Sequence, residues 1–173
     1  MRDDGVPRLV DASDSAREVC TAGNVRTTLL VGDLLARKGR LGRLLIATDT
    51  PTGSGVMPLG MLYTITHLAS LGGMDPQVAI AAATGNNAAV YRLNSGILAE
   101  GRDADVVILD ACAGGSKSDA MSAIRNGDIP AVGAVITDGI PRFVGRSRNT
   151  PATIKSVRVA ENRLPRDFSG SAH

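Results

Sequence analysis

The sequence predicts an α/β fold, in which an α/β layer is followed by a small β-rich module. Three observations carry this prediction. Over the first 93 residues, short apolar strands alternate with segments whose apolar residues recur at helical spacing. After Asn94 the chain changes to short strand candidates and a hairpin. The 173 residues, 43% hydrophobic and 21% charged, fit one ordinary globular domain with a real core.

The α/β part begins after a polar stretch, residues 1–16, that contains Gly5 and Pro7 and is predicted to be a loop. A short strand is predicted at 17–22. The run from Leu41 to Thr48 is apolar at successive positions, which predicts a strand buried on both faces, as in a parallel sheet. Asp75-Pro76 is an N-cap followed by proline at the first helical position. The helices predicted here cover residues 25–38, 61–71, 76–83 and 88–93.

The β-rich module is predicted from residues 94–150. Strands are expected at 96–99 and 104–109, and a helix at 117–126. Two further strands, 132–137 and 141–144, flank Asp138-Gly139, a pair typical of a tight hairpin turn. The resulting domain prediction is a loop at 1–16, an α/β segment at 17–93, the β-rich segment at 94–150 and a basic polar tail at 151–173.

Composition argues against several classes of protein. The net charge is only +2 and aromatic residues make up 2%, so the basic stripe and stacking rings of a nucleic-acid binder are not expected. No apolar run reaches the ~18 residues of a membrane helix, and the N-terminal stretch does not resemble a signal peptide. Cys20 and Cys112 are far apart, which favours unpaired thiols in a reducing cytoplasm.

Asp49 is the principal candidate for catalysis. It directly follows the apolar run and precedes a Pro/Gly-rich loop, and catalytic groups of parallel α/β folds sit just past the carboxyl ends of strands. There a carboxylate can bind a metal or accept a proton from metal-bound water. The alternative is an aspartate that only starts a turn before Pro51.

The remaining candidates are weaker. Gly53-Ser54-Gly55 lacks the pattern of a phosphate-binding loop, so nucleotide binding is not favoured. His67 is interpreted as an ordinary polar-face histidine and Cys20 as a small core residue. Catalytic zinc generally takes three protein ligands, and the chain shows no HxH or HxxxH pair. Taken by its own residues, the chain lacks a complete active site.

Two stretches carry a resemblance to a known family. The C-terminal part of the amidohydrolase superfamily resembles two stretches of this chain, ATDTPTGSGVMPLG and AAATGNNAAVYRLNSGILAEGRDADVVILD. The resemblance is strongest to the enamidase-type members of the superfamily, which hydrolyse a cyclic enamide. That family combines a metal-dependent TIM barrel with a small β-sandwich. The resemblance spans roughly residues 17–150 and implies the last two βα units of a (β/α)8 barrel plus part of the sandwich.

The resemblance also implies a chemistry. Asp49 matches the aspartate that binds metal, zinc in the parent enzyme, and acts as general acid/base in hydrolysis of a non-peptide C–N bond, here of a small cyclic amide. The loop at 50–58 would line the substrate pocket, with Thr50, Thr52 and Ser54 as polar contacts. The family's metal-binding histidines have no match in this sequence. We therefore expect no tightly bound zinc and no activity in the chain alone, and a partner that supplies the missing N-terminal barrel portion. The alternative is a truncated or split non-catalytic chain, and association into homo-oligomers is open.

Overall fold

The computed structural model describes residues 4–20, 23–50 and 56–160, and these form helices and strands in the order αβαβααα–βαββ. A 3-10 turn, Leu41–Arg43, precedes the second strand. The helices are α1 (Gly5–Ala12), α2 (Val25–Arg37), α3 (Gly60–Ser70), α4 (Pro76–Ala83), α5 (Gly85–Tyr91) and α6 (Ala120–Asn126). The strands are β1 (Arg17–Val19), β2 (Leu44–Ile46), β3 (Val106–Asp110), β4 (Ala131–Thr137) and β5 (Ile140–Val144).

The first two strands form a parallel pair, as the continuous apolar run predicted. Arg17 lies opposite Leu44 and Val19 opposite Ile46, and the Ala47 amide extends the ladder by donating to the Val19 carbonyl at 3.0 Å. All three residues of β2 are buried. The strand is shorter than predicted because residues 41–43 turn before it begins.

Helices α1 to α4 share the main core with this pair. Two caps fix where helices begin: the Asn24 side chain accepts from the Thr27 amide at 3.1 Å, and Asp75 accepts from the Gln77 amide at 2.8 Å. The second cap confirms the prediction from Asp75-Pro76. Large side chains of this core, from strands and helices alike, include Val10, Val19, Val31, Leu35, Leu44, Ile46, Ile65 and Leu68.

Helix α1 corrects the prediction of a loop at 1–16. Pro7 is the third residue of α1, in the first turn, where its missing N–H removes no intrahelical hydrogen bond. The helix is amphipathic, and Val10 is only 1% exposed in the main core. Burial on one face therefore outweighs the poor helix propensity of Gly5 and Pro7.

The second sheet is antiparallel, with strand order β3-β4-β5. The predicted hairpin is confirmed: Asp138 (φ 52°) and Gly139 (φ 72°) form the left-handed pair that a two-residue turn requires. The strand predicted at 96–99 is wrong. Gly96 (φ 77°) bends the chain there, and its Cα lies so close to α5 that an added Cβ would be 2.9 Å from the Thr84 carbonyl oxygen.

Two features tie the parts of the chain together. Ile124 of α6 has no exposed surface and packs into the main core with α3 and α4, so the residues after Asn94 do not form a separate sheet module. Residues 151–160, part of the stretch predicted to be a basic polar tail, contact β3 and the residues just after it: the Ala113 amide donates to the Ala152 carbonyl at 2.7 Å, and the Lys155 backbone amide donates to the Asp110 carboxylate at 2.7 Å. Among the described residues, no helix is long and apolar enough to cross a membrane.

Candidate functional site

Asp49 lies three residues beyond β2, at the carboxyl end of the parallel pair. Its backbone is in the left-handed region (φ 56°), which a non-glycine residue seldom adopts but which aspartate tolerates better than most. The residue is exposed to solvent, whereas the strand before it is fully buried. The chain leaves the core over Ala47 and Thr48, and Asp49 places a carboxylate at the strand end.

Two contacts involve Thr48, the residue before Asp49. The Thr50 amide lies 3.4 Å from the Thr48 hydroxyl oxygen, which it faces as donor. Gly60, the buried first residue of α3, sits so close to the strand end that an added Cβ would be 3.0 Å from Thr48 Cγ2. Leu59, just before it, is also left-handed (φ 60°). Strand end and helix start thus meet directly beside Asp49.

The sequence-predicted site is brought together only in part. Asp49 and Thr50 are neighbours at the strand end and both are exposed. Thr52 and Ser54, the other predicted substrate contacts, lie outside the described residues. Within 4–20, 23–50 and 56–160, no three His, Cys, Asp or Glu side chains gather in a way that could hold a metal ion. The described residues therefore do not by themselves form a metal centre.

His67 and the two cysteines do not add to this site. His67 lies in α3 with its ring centroid 6.1 Å from that of Tyr63, and its Nδ1 is buried with no hydrogen-bond partner among the described residues. It is thus more buried than a simple polar-face histidine. Cys20 and Cys112 are unpaired and half-buried.

The sequence did not predict a group of polar side chains on α5 (Asn86, Asn87 and Tyr91) that hydrogen-bond to β1, β2 and the turn before β2. The Tyr91 hydroxyl donates to the Glu18 carboxylate at 2.6 Å, and this negative neighbour raises the pKa of Tyr91 above its ordinary value of 10.0. Asn86 and Asn87 donate to backbone carbonyls of β2 and the turn before it. The only signal in the sequence was the consecutive pair of asparagines, which the helix prediction treated as an interruption.

Comparison with known proteins gives consistent results. Residues 24–155 match the Amidohydrolase family. The chain is 42% identical to the enamidase of Eubacterium barkeri over 154 residues, which are 89% of this chain and 40% of that protein. It superimposes on the enamidase crystal structure, described as a member of the amidohydrolase superfamily, with a TM-score of 0.85 at 41% identity, covering 90% of this chain and 40% of the other.

A more distant solved structure agrees in fold alone. The β-aspartyl dipeptidase of Fervidobacterium islandicum matches with a TM-score of 0.51 at 16% identity, over 84% of this chain and 36% of that one. The chain thus spans about two fifths of the length of the relatives it matches. Both the α/β fold and the sequence identity lead to one assignment: this chain belongs to the amidohydrolase family.

Proposed function

We propose that the chain is the portion of an enamidase-like amidohydrolase that carries the catalytic carboxylate, Asp49, and that it works together with a portion it does not itself contain. The single observation that supports this most is the place of Asp49: an exposed carboxylate on a left-handed turn at the carboxyl end of a buried parallel strand, in a chain 42% identical to an enamidase. A hydrolase acting on C–N bonds is the activity that the family membership supports.

In this proposal β1–α2 and β2–α3 are the last two βα units of a (β/α)8 barrel, and β3–β5 are part of the β-sandwich. The parallel pairing of β1 with β2 and the core that they share with the helices support the first assignment. A complete barrel needs about 250 residues, far more than 17–93. The missing N-terminal barrel portion is then supplied by the same polypeptide or by a separate chain. The two unpaired thiols fit the reducing cytoplasm.

The proposed chemistry is hydrolysis of a small cyclic amide. Asp49, together with ligands outside the described residues, would hold a divalent metal such as zinc, which when bound would polarise the water and the carbonyl. Asp49 accepts the proton of the attacking water and transfers it to the leaving nitrogen. Its exposure at the strand end leaves room for a substrate beside it, and Thr50, with Thr52 and Ser54, is proposed to contact that substrate.

The second candidate is a non-catalytic chain that never acquires its missing portion. The observation that favours this candidate is that the described residues bring together no group of side chains that could hold a metal ion. The two differ in whether a complementing portion binds and restores activity.

The experiment is to produce the chain alone and together with the portion of Eubacterium barkeri enamidase that it does not match. We expect less than one tightly bound zinc per chain alone. With the complementing portion we expect a complex that hydrolyses a cyclic enamide and loses activity with a chelator. Stoichiometric zinc and amide hydrolysis by the chain alone would contradict the incomplete site, and a metal-loaded but inactive complex would favour the non-catalytic candidate.

A further inference from the structure

Thr48, the residue before Asp49, makes contacts through both ends of its side chain. Its Cγ2 methyl lies beside Gly60, the buried first residue of α3: a Cβ added to Gly60 would be 3.0 Å from Thr48 Cγ2 and 3.4 Å from Thr48 Cβ. The Thr48 hydroxyl oxygen accepts a long hydrogen bond from the Thr50 amide, at 3.4 Å. One side chain therefore joins the start of α3 to the backbone that follows Asp49.

The start of α3 is itself anchored. The Thr64 hydroxyl, in a residue with no exposed surface, donates to the Gly60 carbonyl at 2.9 Å. Ile65 and Leu68 of the same helix are buried in the main core. Because the helix is held by this packing, Gly60 has little freedom to move away from the strand end. The Thr48 methyl occupies the space that a side chain at position 60 would fill.

The backbone of Asp49 is of the kind that needs support from its neighbours. A left-handed conformation (φ 56°) is strained in a residue with a side chain, and it persists where the surrounding structure fixes it. Thr48 is bonded directly to Asp49, so a shift of Thr48 by a few tenths of an ångström also moves the Asp49 carboxylate. Proton transfer requires that carboxylate within about 2.6–3.2 Å of its partner atom, so the rate is sensitive to such a shift.

We propose that Thr48 is a positioning residue for Asp49, and that position 60 requires glycine so that the Thr48 methyl can lie against the start of α3. The inference deepens the proposed function and rests on it for the role of Asp49. It predicts that a side chain at position 60 acts on Asp49 through the Thr48 methyl. Deleting that methyl must then cancel the effect.

The first test measures the position of Asp49 without any activity. In the chain alone, Gly60→Ala should displace the amide ¹H–¹⁵N resonance of Asp49, because Thr48 has to move away from the new Cβ. Thr48→Ser deletes Cγ2 and keeps the hydroxyl. When Gly60→Ala is added to Thr48→Ser, we therefore expect a much smaller displacement of the Asp49 resonance than in the wild-type background. Equal displacements in the two backgrounds, or none in either, would overturn the inference.

Gly32→Ala is the matched control. Gly32 is also a buried helical glycine, and its new Cβ would be 3.0 Å from Leu68 Cδ2 and 3.3 Å from Met74 Cε, close to the distances at Gly60. Leu68 lies more than two turns further along α3 than Gly60, within the core. We expect Gly32→Ala to lower the midpoint of urea denaturation as Gly60→Ala does, but to leave the Asp49 resonance in place. An equal displacement of Asp49 by both variants would show a general effect of crowding and overturn the inference.

The second test measures turnover in the complex with the complementing enamidase portion. We expect Gly60→Ala to lower kcat about tenfold or more with KM within about threefold, and the double variant to have a kcat within about threefold of Thr48→Ser alone. Gly32→Ala should keep kcat within about twofold of the wild type. A double variant as impaired as Gly60→Ala, or a rise in KM with unchanged kcat, would overturn the inference. An inactive wild-type complex with the expected resonance pattern would contradict the proposed function and support the placement of Asp49 by Thr48.

Discussion

Ile124 provides the sharpest test of how the two halves of the chain are joined. It lies on α6, after the chain has left the α/β part, yet its side chain has no exposed surface and belongs to the main core beside α3 and α4. The only ion pair seen between α6 and α4's cap, Arg125 with Asp75 at 3.1 Å, is largely exposed and contributes at most about 1 kcal/mol. Apolar packing, of which Ile124 is the larger side chain beside the equally buried Ala123, is therefore expected to contribute most to holding α6 in place.

The magnitude follows from the atoms removed. Ile124→Ala deletes three carbon atoms, and at about 0.8 kcal/mol for each buried carbon the transfer loss is about 2.4 kcal/mol. The cavity left in a closely packed core adds to this, within the range of about 2–5 kcal/mol seen for such changes. We expect the free energy of unfolding to fall by about 3–4 kcal/mol, measured by urea denaturation followed by far-UV circular dichroism.

The matched control is Ile140→Ala, the same chemical change at a β5 residue that is 38% exposed. We expect a loss of less than about 1.5 kcal/mol there, because part of the side chain is already in water. Equal losses in the two variants, or a loss at Ile124 under about 1 kcal/mol, would refute the conclusion that α6 is docked by this side chain.

Three further predictions concern single positions. Gly96→Ala should destabilise the chain more than Gly101→Ala. Both glycines have φ near +78°, but only at Gly96 would the new Cβ meet backbone, 2.9 Å from a carbonyl oxygen. Equal midpoints of urea denaturation for the two variants would contradict this prediction. Gly133→Ala should loosen residues 150–157, because its Cβ would be 2.6 Å from Val157 Cγ2, and faster amide exchange confined to that stretch would show it. The Ser122 backbone amide donates to the Asp119 carboxylate and lowers the pKa of Asp119 from 3.8. The stability that this hydrogen bond gives the folded chain is present above pH 3.8, and it is lost as the pH falls through the lower pKa that Asp119 has in the folded state. The wild type should therefore lose stability relative to Asp119→Asn below pH 3.8, and parallel pH profiles of unfolding would contradict the cap.

Local signals in the sequence predicted local structure well. Asp75-Pro76 marked a helix start and Asp138-Gly139 a hairpin, because each depends on backbone preferences of the residues themselves. Helix α1 was missed for the opposite reason: its stability comes from burying Val10 against residues distant in sequence. The strand predicted at 96–99 was wrong because its apolar residues lie in a turn fixed by contact with α5.

In the candidate site, too, local sequence predicted some features, while contacts between residues distant in sequence determine the others. That Asp49 follows a buried strand could be predicted from the apolar run, but neither its left-handed backbone nor the close approach of Gly60 to Thr48 is encoded by a local pattern. The bonds from Asn86 and Asn87 join positions more than 40 residues apart, and no periodicity in the sequence encodes such pairing.

The most direct test of the central claim is the activity of Asp49→Asn in the complex with the complementing enamidase portion. The claim that Asp49 transfers the proton predicts a fall in kcat of about 10²–10⁴ while the complex still forms. Asp33→Asn is the control, since Asp33 is an exposed carboxylate on α2 paired with Arg37 at 2.9 Å, and it should leave kcat within about twofold. An Asp49→Asn complex that keeps wild-type kcat would contradict the account.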